Sequence, residues 1–380
     1  QTNSVHSGMK ESLHYDLIVI GAGFAGLSAA YHFGLMGKRV LVLEKGSGKE
    51  NASFASTAEM NHDPDANRNM VMQTHGYDAA RDLWKLTERS LTLLTDFAHR
   101  EGAENFETKR VPAHMFSYGD LGDEYLNEKF EIYTKLGANV SRSYAPNTPH
   151  PSFTSALTLL GDGRTNNQAI LRTLARVVRA QGNRVMRHTE VVSVNATSGT
   201  VHVTTANGTV YRASRALVAT GMHTISGLRS FPIEPHRTFV VRYENHHMPE
   251  PFRSAIMWDV HEPFHYIRSF AGHQLWIGGE DMPEHQVTKE REERAYKRLH
   301  EFSKEILKLG EKYTSTGSWS GTFFPTKRSL PYIANDPNFP ISYSVGFGGS
   351  GLLMSLVSGY LHAAWESGKE LHYKKLFVLD

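Results

Sequence analysis

Apolar and polar positions switch between two spacings along this chain, and the switches mark its elements. Leu17-Ile18-Val19-Ile20 is a short apolar run that ends on Gly21, Gly23 and Gly26 and leads into a helix-like stretch over residues 27–36. Residues 39–44 then read as a second strand, so this segment predicts a βαβ unit. Further on, Leu83, Trp84, Leu91, Leu94 and Phe97 recur at helical spacing between Tyr77 and Arg100, with Gly102 where a C-cap belongs. Another helical pattern covers residues 169–180. Short strands follow at 191–194, 200–205, 209–211 and 216–219, with Asn207-Gly208 as a tight turn. Residues 238–281 are rich in β-branched and aromatic side chains, which predicts an antiparallel sheet facing a substrate. The charged stretch 284–312 keeps Ala295, Leu299, Phe302, Ile306 and Leu309 on one helical face, so its charges form a solvated outer surface. Residues 1–14 are polar and aperiodic and read as a tail.

Composition narrows the chemistry. A chain of 380 residues, 40% hydrophobic, can bury the core of one large domain or two intertwined ones. Its 41 basic and 39 acidic side chains are interspersed, which excludes the electrostatic footprint of a nucleic-acid-binding protein. Cysteine is absent, so disulfides, thiolate metal ligands, a cysteine nucleophile and a thioether link to a cofactor are all excluded. Redox chemistry then has to come from a bound cofactor. No apolar run approaches the roughly 20 residues that span a bilayer, and the first residues hold no apolar signal core. The expectation is a cytoplasmic protein with no membrane span. Its many histidines suggest no metal site, because Pro263 lies between His261 and His265 and spoils the helical spacing that pairs ligands.

The glycines after the first strand have the spacing of a dinucleotide turn. Gly21 permits the sharp turn, Gly23 lets the backbone approach a pyrophosphate, and Gly26 lets the helix pack on the sheet. Phosphates would meet Phe24 and Ala25 at the helix N-terminus, where free N–H groups favour negative charge. Glu44, followed by Lys45, ends the second strand at the offset from which an acid accepts ribose hydroxyls, and it disfavours a 2′-phosphate. FAD is favoured over NAD by two further features: Ala219-Thr220-Gly221 closing an apolar strand, and Gly346-Phe347-Gly348-Gly349-Ser350-Gly351 running into an apolar helix from Leu352. This second glycine-rich junction suits backbone N–H groups aimed at an electron-rich ring edge.

Residues 15–44, 52–56, 191–194, 219–221, 277–281 and 319–358 together resemble, in order, the D-amino-acid oxidase superfamily in its glycine oxidase and sarcosine oxidase branch. The resemblance implies an α/β fold: an FAD-binding Rossmann-like domain of glutathione-reductase type with an interleaved antiparallel-sheet substrate domain. It places the FAD domain at 15–80, 155–235 and 318–380 and the substrate domain at 81–154 and 236–317. It also implies non-covalent FAD, a small amine or amino acid that passes a hydride to the flavin, an imine that hydrolyses, and oxygen or another acceptor for the electrons. Ser53, Ala55, Ser56 and Thr57 match the loop between pyrophosphate and flavin. Val191 or Val192 matches the residue whose backbone faces the adenine, and Gly348 to Gly351 match the turn at the flavin's pyrimidine edge.

The departures concern the substrate. Relatives often read Arg-Asn-Gly-Gly where this chain has Ala58-Glu59-Met60-Asn61. It keeps Trp319, Gly321, Thr326 and Pro331 of a longer pattern but has Phe323 where an arginine often stands and Arg328-Ser329 in place of Asp-Gly. A carboxylate calls for a cation, ideally an arginine whose fork binds both oxygens; Arg268 is the first choice, because Tyr266-Ile267-Arg268 resembles the Tyr-x-Arg strands that line the substrate sheet in the family, and Lys327 and Arg328 are the second. Phe323 and Phe324 suit the wall of an amine pocket, and His265 suits a proton acceptor. His62 follows the flavin loop, where a hydrogen-bonding role outweighs covalent attachment. Two rival readings stay open: oxidation of a hydroxy acid or polyol phosphate, and a non-catalytic flavin-bearing assembly subunit. Homo-oligomerisation also stays open.

Overall fold

The computed structural model describes residues 14–63, 68–102, 106–119, 122–197, 199–223, 225–369, 372–377 and 379. The rest of the expected tail lies outside them, and His14 already opens the first strand. Among the described residues the strands form three sheets. In the first, β1 (His14–Ile20) lies parallel to β2 (Val40–Leu43) on one side and to β12 (Val210–Val218) on the other. β9 (Arg184–Met186) extends the sheet beyond β2, and β19 (Ile341–Val345) runs parallel to β12 with β18 (Tyr332–Asn335) antiparallel beside it. The hairpin of β10 (Val191–Thr197) and β11 (Thr200–Thr205) completes it. The chain leaves β1 toward β2 and reaches β12 only much later, so β1 is the point where strand order reverses. Ligands of open α/β sheets bind beyond the carboxyl ends of strands at such a point.

Leu17, Val19, Val40 and Val42 face α1 (Phe24–Leu35), α6 (Asn167–Ala180) and α8 (Gly351–Glu366), whereas Ile18, Ile20, Leu41 and Leu43 face the β10–β11 side. A sheet covered on both faces explains why the β1 and β2 sequences are apolar throughout. Helices α1 and α8 cross at backbone contact: a Cβ on Gly359 would stand 2.4 Å from the amide nitrogen of Ala29. The Ser28 hydroxyl donates to the Leu356 carbonyl at 2.5 Å across the same crossing.

The second sheet has the order β17 (Thr314–Phe323), β13 (His236–Glu244), β16 (Gln274–Pro283), β15 (His265–Phe270), β14 (Ile256–Asp259), β5 (Ala113–Ser117), β7 (Ser155–Leu159), β6 (Val140–Tyr144). α7 (Lys289–Glu305) buries Ala295, Leu299 and Phe302 against Phe239, Val241, Ile267 and Ile277 on one face. At the β5–β7 end the opposite face meets α3 (Arg68–His75), α4 (Tyr77–Arg100) and α5 (Asp123–Lys135), which share a core with Met115, Leu157 and Ile256. The third sheet is small: β3 (Glu59–Met60), β8 (Gly163–Arg164) and β4 (Lys109–Arg110). It follows the short helix α2 (Ala52–Ala55), N-capped by Asn51.

Several boundaries differ from expectation for local reasons. α1 starts at Phe24, because Gly26 belongs to its first turn. The patterns at 209–211 and 216–219 are one strand, β12, whose polar middle pairs with β11. α7 ends at Glu305, short of Leu309. β7 pairs with β5 and β6, and β17 pairs with β13, so both belong to the second sheet.

Candidate functional site

Three loops meet at the carboxyl edge of the first sheet. After β1, Gly21 has φ +106°, and a Cβ there would lie 2.4 Å from the Ala219 carbonyl oxygen at the end of β12. A Cβ on Gly26 would lie 1.9 Å from the Gly21 carbonyl oxygen. Only glycine tolerates either approach. Gly23 is the N-cap of α1 and offers no side-chain acceptor, and the first turn holds no acid. A helix N-terminus left this bare accepts an anion. The Phe24 amide donates to Ser53 Oγ at 3.1 Å, which brings the next loop to the helix end. Glu44 is buried after β2, with Oε2 accepting from Ala22 N at 2.8 Å and Oε1 from Gly46 N at 3.1 Å. Lys45 Nζ donates to His223 Nε2 at 2.6 Å, joining the β2 and β12 loops. Of the two candidate adenine residues, Val191 is buried in the first-sheet core and Val192 is exposed. The glycine cradle, the uncapped helix and the buried acid fit a dinucleotide.

The loop from Ser53 to Ala58 has its carbonyls turned into the protein. Asn167 Nδ2 donates to the Ser53 and Phe54 carbonyls at 3.0 and 2.7 Å, and Trp319 Nε1 to the Ala55 carbonyl at 3.0 Å. Arg268 Nη1 donates to the carbonyls of Thr57, Ala58 and Thr165. Ala58 is held at φ +57°, in the left-handed region. Arg268 is wholly buried, with Trp276 under its guanidinium at 5.1 Å. Burial pushes the neighbouring Glu59 carboxyl up to about 8, against the pull of the Arg268 charge. Arg268 is therefore a strut beneath the loop, donating to backbone carbonyls beside a Glu59 carboxyl that burial keeps protonated at neutral pH.

On the second sheet, register places Trp319, Val240, Gly278, Tyr266 and Trp258 across one face. Thr238 and Gly321, then His236 and Phe323, follow on β13 and β17. A Cβ on Gly278 would stand 2.2 Å from the Tyr266 ring, so the tyrosine lies flat on bare backbone, and its hydroxyl is 3.0 Å from Thr238 Oγ1. Gly321 approaches Ala55, which sets this face against the Ser53–Ala58 loop. The third loop closes the site. Gly346 has φ +74° and presses on Thr326, Gly348 N donates to the Phe324 carbonyl at 3.0 Å, and the Phe324 ring covers Gly221. A 3-10 turn at Gly348–Ser350 then enters α8 at Gly351, with Leu352 buried.

The remaining candidates lie elsewhere. His265 alternates to the opposite face from Tyr266, stacked on Phe302 of α7 at 4.0 Å between Asp259 and Glu280. Lys327 is exposed in a turn. Arg328 reaches the Leu376 carbonyl at 3.1 Å and covers Tyr332 at 5.2 Å. His62 is buried, stacked on Trp84 at 4.8 Å, and its two ring nitrogens meet Asp162 and Glu88. Both nitrogens are thus engaged by carboxylates. Sequence reasoning missed Asn167 and the strut role of Arg268. The adjacent Asn166 and Asn167 before a helical pattern signalled a capped helix, but not where the second amide would reach.

Over residues 16–365 the chain matches the family model DAO, FAD dependent oxidoreductase. The chain belongs to this family. It is 24% identical over 357 residues to glycine oxidase of Bacillus licheniformis, covering 92% of each chain. It is 23% identical to monomeric sarcosine oxidase of Bacillus sp. (strain B-0618) over 62% of this chain and 59% of that one. The crystal structure of glycine oxidase from Geobacillus kaustophilus superposes with a TM-score of 0.81 at 20% identity, over 94% of this chain and 96% of that one. This is an FAD-dependent oxidoreductase, and the glycine cradle, Glu44 and the Ser53–Ala58 loop are the residues that would hold FAD. Among the described residues no helix is long and apolar enough to cross a membrane.

Proposed function

We propose that this FAD-dependent oxidoreductase oxidises a small amine or amino acid. The observation that carries the reading is the aromatic plate of Tyr266 laid on Gly278, on the sheet face set against the Ser53–Ala58 loop. Such a face holds an organic amine flat and dry beside a cofactor seated on the loop. Bound FAD supplies a two-electron acceptor for the hydrogen on the carbon beside the nitrogen. The nitrogen gives up a proton, and water splits the resulting imine into a carbonyl compound and an amine or ammonia. Oxygen or another acceptor removes the electrons. The protein's part is orientation: Arg268, Asn167 and Trp319 fix the loop, and Thr238 fixes the Tyr266 hydroxyl. The names of the glycine oxidase and sarcosine oxidase relatives support an amine substrate.

The test is anaerobic mixing of the FAD-loaded protein with D-amino acids, N-methyl amino acids, glycine and simple amines. Bleaching of the visible flavin band by at least one of them is expected. A flavin that none of these bleaches, but 2-hydroxy acids or polyol phosphates do, overturns the reading.

A further inference from the structure

We infer that the substrate is an amine with an apolar or aromatic body and no carboxylate on the carbon that is oxidised. The inference rests on the amine reading above and turns on where the cations go. A carboxylate taken out of water needs a positioned cation, and a guanidinium sealed inside the protein or turned to other partners cannot supply one.

Among the described residues, the face of the second sheet that carries Tyr266 presents three arginines, of which Arg142, at the β6 end, donates to Asn127 and pairs with Asp123 of α5. Arg268 is wholly buried and spends Nη1 on the carbonyls of Thr57, Ala58 and Thr165 and Nε on that of Ser269, and its Nη2, though without a hydrogen-bond partner among the described residues, is sealed from the surface. Arg242 lies at the far end, with Nε and Nη2 both donating to Thr316 at 2.9 Å. Near the third loop, Arg328 is turned to the Leu376 carbonyl and Tyr332. Lys327 is exposed, and an exposed ammonium stays hydrated and gains little from a carboxylate.

Around Tyr266 the groups on the face are uncharged or aromatic: Trp258, Thr238, Phe323 and His236. Phe323 and His236 stand side by side across β13 and β17, with ring centroids 5.8 Å apart. When His236 donates its Nδ1 proton to the Glu234 carbonyl at 3.2 Å, its Nε2 is left as an acceptor, which suits an amine N–H and repels a carboxylate. Aromatic faces likewise attract an ammonium and offer a carboxylate nothing.

The test compares ligands that differ only by the carboxylate: 2-phenylethylamine with D- and L-phenylalanine, and butylamine with D- and L-norvaline. Binding to the FAD-loaded protein is read from tryptophan fluorescence and perturbation of the flavin band, and reduction from anaerobic bleaching. At least one amine is expected to bind about 100-fold more tightly than its carboxylated partners. Phe323→Arg is expected to narrow that gap about tenfold, because it puts a fork on the face. Amino acids that bind as tightly as the amines overturn the inference while leaving amine oxidation standing. The inference falls in the same way if carboxylate binding disappears in Lys327→Gln. If no amine binds and a 2-hydroxy acid bleaches the flavin, the amine reading falls and takes this inference with it.

Discussion

Arg268 shows how a single side chain can hold up a candidate site without lining it. Its guanidinium holds the Ser53–Ala58 loop from beneath, with Ala58 in the left-handed region above it. Arg268→Met leaves those buried carbonyls without their donor, a loss on the order of 1–3 kcal/mol for each acceptor left unsatisfied. Thermal melts should fall accordingly, and FAD should no longer co-purify; a variant that keeps both its melting temperature and its FAD contradicts the strut. Gly278→Ala is a smaller change with a more local effect. Its methyl would stand 2.2 Å from the Tyr266 ring, so the ring must lift, at about 1–3 kcal/mol for overpacking. Flavin reduction should slow at least tenfold with FAD retained, measured by stopped flow. The family resemblance marked Tyr266 and Arg268, two apart on a strand and so on one face, whereas His265, one residue before Tyr266, necessarily faces the other way. Whether an arginine on that face meets substrate or backbone depends on which loop folds over it, and that is a tertiary fact.

At the scale of elements, the βαβ unit, α4, α6 and the glycine-rich entry to α8 were legible because each combines a clear period with a conformational signal at its end. Gly21 and Gly346, both at positive φ, were such signals. Sheet membership was harder. Antiparallel pairing follows register between distant strands, so nothing local tells β7 or β17 which sheet it joins. The crossing of α1 and α8 was likewise unreadable, since Gly359 looks like any helical glycine until Ala29 arrives beside it. Gly359→Leu should separate the two helices and tilt the α1 N-terminus away from Ser53. Expected outcomes are a lower melting temperature and weaker FAD binding, checked by calorimetry and by titration of the apoprotein. A variant with unchanged affinity would mean that the helix N-terminus holds its place without α8.

For the molecule as a whole, two buried histidines set the response to pH. Burial pulls both His62 and His265 down, but their flanking carboxylates outweigh it and raise each to about 9. A histidine raised in the folded state contributes fully below its unfolded value near 6.5, and that contribution is lost as pH rises through about 9. Glu88 works in the other direction: hydrogen bonding to His62 lowers it to about 2, so its contribution is present above its unfolded value and is lost as pH falls through about 2. Melting temperature should therefore decline between pH 6.5 and 9.5, roughly the titration window, and the decline should be shallower in His62→Phe. Equal slopes in both proteins would remove His62 from the account. The order of the central strands has a consequence for synthesis. The cradle needs the ends of β1, β2 and β12, with β19 beside them and α8 against α1, yet β19 closes only at Val345. A ribosome releases the first glycines long before it releases their enclosure. Nascent chains stalled with Val345 still in the exit tunnel should emerge colourless, and the yellow of bound flavin should appear only once α8 is free to dock.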